Sequence, residues 1–200
     1  MSSAPENPRT EPVPNLNIAN VLTVARLLLV PLLVWVLWNP QGAAAWWWGL
    51  VIFGVAAATD KLDGHLARSR GLVTDFGKLA DSIADKALVI AAIILLSMRA
   101  LLPWWVTVLM IVRELGITLM RMAMAKREVM AAGGGGKLKM VLQVVFILIL
   151  LVPWWSFLPD GVAAALVWLG VGLAILTLLV SYWSAAQYVR DAVEISRRTR

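Results

Sequence analysis

From Leu27 to Thr59 the chain carries no charged residue, and the same holds from Met140 to Pro159 and from Gly161 to Val189. Uncharged apolar runs of about 18 residues or more are long enough to cross a bilayer as helices. Charged residues make up 15% of the 200 positions, against about 25% in an ordinary soluble domain. Mean hydropathy is +0.80. The short alternating segments of a membrane barrel are absent, and any open backbone in lipid would leave polar groups without partners. The expected fold class is therefore an all-α integral membrane protein.

Helices are predicted over 18–39, 43–62, 77–99, 102–127, 137–154 and 161–190, which gives six transmembrane helices with both termini on one side. The Asn39-Pro40-Gln41-Gly42 turn and Pro103, Pro153 and Pro159 supply the breaks between them, since proline cannot continue a helix. Residues 1–14 hold Pro5, Pro8, Pro12 and Pro14 among mixed charges and read as a disordered tail without the basic start and short apolar core of a cleavable signal. Residues 15–200 are expected to form one six-helix domain.

The chain has no cysteine, which excludes disulfides and thiolate metal sites. Its net charge of +6 comes from short segments between apolar runs, a pattern of membrane orientation and anionic lipid rather than nucleic acid. Of eighteen Lys and Arg residues only Arg99 falls at the far ends of the predicted helices, so the opposite face, with both termini, is expected to be cytosolic. Trp35, Trp38, Trp46, Trp47, Trp48, Trp104, Trp105, Trp154 and Trp155 map to the Arg99 end, as an interfacial aromatic belt would.

Four of the twelve acidic residues, Asp60, Asp63, Asp81 and Asp85, stand at the cytosolic ends of the second and third predicted helices. Asp60 and Asp63 are three apart, within about 60° on one helix face, and Asp81 and Asp85 are four apart and also share a face. Two carboxylates near a helix C-terminus oppose the dipole and each other unless a cation compensates. Hard oxygen donors without a His or Cys framework suit Mg²⁺ or Mn²⁺, with room for two ions, and such a site usually serves phosphoryl chemistry. A plainer reading makes these aspartates ion-pair partners of Lys61, Arg68, Lys78 and Lys86. His65, the single histidine, is read as a loop neighbour rather than a ligand.

The run Asp60-x-x-Asp63-Gly64-x-x-Ala67-Arg68, then Gly77-x-x-x-Asp81-x-x-x-Asp85 after eight residues, resembles the signature of the CDP-alcohol phosphotransferase family. The resemblance implies a membrane enzyme that moves a substituted phosphoryl group from a CDP-linked donor to an alcohol and releases CMP. It implies that Asp60, Asp63, Asp81 and Asp85 bind metal and that Asp85 is also the catalytic base. Asn20, Thr23, Gly64, Arg68 and Thr74 would contact the CDP donor.

Asn17 to Thr23 with Arg26 and Pro31, Thr74 to Lys78 and Ala84 to Lys86 are similar to the members of that family that use CDP-diacylglycerol as donor and glycerol 3-phosphate as acceptor. The resemblance then implies an acceptor-phosphate pocket of Arg113, Arg121, Lys137 and Lys139, membrane lipid as surroundings, and a homodimer. Members that take inositol phosphate or phosphatidylglycerol are the nearest alternatives. A divalent-cation transporter built on the same carboxylates is the alternative from another class, although such sites belong near the midplane among broken helices.

Overall fold

The computed structural model describes residues 18–69, 75–124 and 135–198, and within them the side chains of 21–59, 83–120, 138–187 and 190. These residues form α1 (Ile18–Trp38), α2 (Gly42–Ser69), α3 (Asp75–Met98), α4 (Trp104–Met124), α5 (Gly135–Leu151) and α6 (Asp160–Arg198), with a 3-10 turn at Trp154–Ser156. Helix α1 packs along both α2 and α3, α5 packs along α6, and α4 closes the bundle against α3 and α6. One apolar core joins all six, from Leu33, Phe53, Leu96 and Val106 to Phe146, Ile147 and Ala174.

The charge pattern is inside out. Arg26 is 1% exposed and Arg113 and Lys139 are 8%, while Leu28, Trp35 and Leu119 are 65% or more exposed. In water that arrangement would bury charge and leave oil outside; in lipid it is the stable one. The chain is a multi-pass, all-α membrane protein.

The expected six transmembrane helices require correction. Among the described residues four helices are long and apolar enough to cross a membrane, over Val21–Trp38, Gly42–Thr59, Leu138–Ser156 and Asp160–Gln187. The physical reason lies in α3 and α4. The uncharged part of α3 runs only from Ala87 to Met98, about 18 Å of helix against a hydrocarbon core of about 30 Å. Arg113 and Glu114 interrupt α4 after nine residues. Residues 1–17 and 199–200, and with them the predicted tail over 1–14 and the shared side for both termini, lie outside the described residues.

Lipid tails are as apolar as leucine, so helices associate in a membrane through close fit rather than through the hydrophobic effect. Two glycines permit that fit. A Cβ on Gly49 of α2 would lie 2.8 Å from Leu37 of α1, and one on Gly170 of α6 would lie 2.6 Å from Leu150 of α5. Between α3 and α4 the buried hydroxyls of Ser97 and Thr107 bond at 2.6 Å. The end of the bundle that holds Arg99 is sealed by aromatic pairs. Trp46 meets Trp155 edge-on at 5.5 Å, Trp47 stacks on Phe157 at 6.0 Å, and the Arg99 Nη2 donates to the Trp38 carbonyl.

Candidate active site

Helix α2 does not end near Asp63 as the sequence suggested; it runs on to Ser69, and α3 begins at Asp75. Asp60, Asp63, Gly64, His65 and Arg68 are therefore helical, and the argument from a helix C-terminus does not apply to the two aspartates. Leu62, Leu66 and Ala67 are strong helix formers that outweigh the single Gly64. Asp60 and Asp63 lie in α2, Asp81 and Asp85 in α3, and the two helices touch.

Asp85 is the one frame residue whose side chain is described, and it lines a cavity of ≈ 50 Å³. The other charged and polar lining residues come from four helices: Arg26 of α1, Lys86 of α3, Glu114 of α4, and Lys139 and Gln143 of α5, over an apolar wall that includes Phe53 and Ala57 of α2. Among the described lining residues three are cations and two are carboxylates. Ala57 is one turn before Asp60, which brings the cavity up against the frame.

Glu114 organises the cationic side. Its Oε1 accepts a hydrogen bond from Arg113 Nη1 at 3.1 Å and another from Lys139 Nζ. Arg113 lies behind the cavity wall rather than in it, and its Nε donates to the Ser181 carbonyl of α6 at 3.1 Å. Of the four residues expected around the acceptor phosphate, the structure thus brings Arg113 and Lys139 together through a shared carboxylate. The backbones of Arg121 and Lys137 lie in α4 and α5; their side chains are outside the described residues.

Of the expected donor contacts, Thr23 is buried in α1, one turn before Arg26. Asn20 is in the first turn of α1, and Gly64 and Arg68 are in α2; Thr74 lies outside the described residues, as do the side chains of Asn20 and Arg68. No group of three metal-ligating side chains occurs among the described residues, which leave out those of Asp60, Asp63 and Asp81. Arg26, Glu114 and Gln143 were not singled out as site residues from the sequence. The signal for Arg26 was there: it is the only charge in α1, and a lone buried charge in an apolar helix is functional by default.

A family model described as CDP-alcohol phosphatidyltransferase matches residues 16–176. The chain belongs to the CDP-alcohol phosphatidyltransferase family. It is 42% identical over 181 residues to a probable phosphatidylglycerophosphate synthase of Mycobacterium tuberculosis, covering 88% of this chain and 83% of that one. It is 34% identical over 179 residues to a CDP-diacylglycerol–glycerol-3-phosphate 3-phosphatidyltransferase of Bacillus subtilis, covering 84% of this chain and 92% of that one. With the enzyme of the same name from Escherichia coli the identity is 35% over 190 residues, covering 88% and 94%. The matched span of this phosphatidyltransferase contains the whole aspartate frame and every residue of the cavity.

Proposed function

We propose that the chain transfers the phosphatidyl group of CDP-diacylglycerol to glycerol 3-phosphate, giving phosphatidylglycerophosphate and CMP. The observation that carries the acceptor is the cavity itself, where Asp85 shares one lining with Arg26, Lys86 and Lys139. Cations beside the base suit an acceptor that brings its own phosphate in addition to the donor's diphosphate. The names of the relatives support the same pair of substrates.

In the transfer, a hydroxyl oxygen of the acceptor forms a bond to the phosphatidyl phosphorus. The bond from that phosphorus to the bridging oxygen of the diphosphate breaks, and CMP leaves with that oxygen. Asp85 takes the hydroxyl proton; a carboxylate is a weak base for an alcohol, so this happens in concert with attack. The four aspartates of α2 and α3 would give a hard oxygen donor set that suits Mg²⁺ or Mn²⁺. One or two such ions held by Asp60, Asp63, Asp81 and Asp85 would supply positive charge against the diphosphate. Asn20, Thr23, Gly64, Arg68 and Thr74 would bind the donor, and Arg121, Lys137 and Lys139 the acceptor phosphate, with Arg113 set behind the cavity wall. The site is assigned to the cytosolic face because seventeen of the eighteen Lys and Arg residues avoid the end that holds Arg99. A homodimer in lipid is the proposed working unit, to be checked by light scattering in detergent or nanodiscs.

The test is CMP release by the purified chain with CDP-diacylglycerol, Mg²⁺ or Mn²⁺, and each of glycerol 3-phosphate, inositol phosphate, inositol, serine and phosphatidylglycerol. Turnover with glycerol 3-phosphate that stops on chelation is expected. Turnover confined to another acceptor would overturn the assignment, and metal movement across vesicles without CMP release would make the protein a transporter. The unbroken course of α2 through Asp60 and Asp63 speaks against that last outcome.

A further inference from the structure

A carboxylate in a pocket meant for an anion has the wrong sign. Glu114 nevertheless lines the cavity beside Lys139 and, unlike the aspartates, is outside the frame that would hold metal. Its surroundings explain it. One oxygen, Oε1, receives both Lys139 Nζ from α5 and Arg113 Nη1 from its own helix, and Arg113 is tied in turn to the Ser181 carbonyl of α6. The three side chains are 7% to 16% exposed. Lysine is a flexible point charge with large rotamer freedom, and the Lys139 side chain is only 10% exposed. Without an anchoring anion Lys139 would be neither stable there nor fixed in direction.

Building on the glycerol 3-phosphate reading above, we propose that Glu114 is a positioning residue for acceptor binding. It holds Lys139 at the cavity wall and Arg113 behind it, so that the acceptor phosphate meets cations that are already ordered. Lys139 has three donors, and Glu114 occupies one, which leaves the others for the phosphate. The ordering cost is then met in the fold rather than at binding.

The experiment is steady-state kinetics of the full-length protein in detergent. Glu114→Gln is expected to raise the glycerol 3-phosphate KM about tenfold, with kcat changed by less than about threefold. The KM for CDP-diacylglycerol should hold, while the thermal midpoint falls because Arg113 and Lys139 lose the charge of their shared partner. Competitive inhibition by inorganic phosphate should weaken in parallel. Lys139→Met should raise the same KM, and the double variant should add little to it, because Glu114 acts through Lys139. Should Glu114→Gln fail to accumulate, Glu114→Asp keeps the charge and is expected to show a smaller rise in the same constant alone. An unchanged or lowered glycerol 3-phosphate KM, or fully additive effects in the double variant, overturns the proposal. Failure of the acceptor reading itself is separate, since it appears in the unsubstituted protein.

Discussion

At one end of the bundle Trp46, Trp47, Trp154, Trp155 and Phe157 close on one another; at the other, Asp85, Lys86, Glu114 and Lys139 surround a cavity with Arg26. The same helices build both ends. At the aromatic end polar groups are spent on backbone carbonyls, Trp154 Nε1 on Ile149 at 2.9 Å and Arg99 Nη2 on Trp38. At the charged end the polar groups bind one another across α4 and α5 and remain within reach of a ligand. Stability and chemistry are thus divided along the bundle axis. Substitutions at the charged end should change kinetics more than stability, and those toward the aromatic end should do the reverse.

The largest effect is expected at Asp85. Replacing it with Asn keeps the shape and removes the base, and general-base catalysis is worth about 10²–10⁴ in rate. CMP release should fall by that factor with every acceptor while the thermal midpoint holds. Normal turnover would remove the base assignment. Arg26 comes next. Arg26→Met keeps most of the volume but takes one cation from the cavity, so kcat/KM for glycerol 3-phosphate should fall about ten- to a hundredfold. Arg26 is not without partners, and removing one member of a buried interacting set costs stability, so a fall in the thermal midpoint is expected beside the larger kinetic loss. A loss of folding equal to the loss of activity would break the division.

Much of this plan was legible in the sequence, for a reason that also sets its limit. Charge-free runs and prolines placed the helices to within a few residues, apart from the ends of α2 and α6, which were expected at 62 and 190 and run on to Ser69 and Arg198. Leu62, Leu66 and Ala67 carry α2 on to Ser69. The frame was legible because its members lie close in sequence at helical spacing. The cavity was not. Positions 26, 85, 114, 139 and 143 belong to four helices, and their meeting depends on α1 packing along α3 and on α3 touching α5, which no spacing within one segment encodes. The count of spans failed on energetics: α3 and α4 are helices of full length whose charges shorten their apolar parts.

Two substitutions probe the other half of the division. Gly170→Val should press on Leu150, whose Cγ would be 2.9 Å from the added Cβ. Overpacking of this kind costs about 1–2 kcal/mol. The thermal midpoint should drop with both KM values unchanged; a raised acceptor KM would mean that α5 transmits packing strain to Lys139.

The smallest effect is expected at Ala100, just past the end of α3 on the aromatic side. Its φ is +57°, the left-handed region that glycine adopts without steric cost. The helix ends in two bonds, from Leu101 N to the Leu96 carbonyl and from Ala100 N to the Ser97 carbonyl, each 3.0 Å, the pattern that calls for glycine at this position. Relief of the Cβ clash, about 1–2 kcal/mol, is partly offset by the greater freedom of glycine in the unfolded chain, about 0.5–1 kcal/mol. Ala100→Gly should therefore stabilise by about 0.5–1 kcal/mol. A scanning measurement in detergent should show the midpoint rising by about 2 °C with kcat and both KM values unaltered. A change in turnover here, at the end of the bundle remote from Asp85, would show that the two ends are coupled through α3 rather than independent.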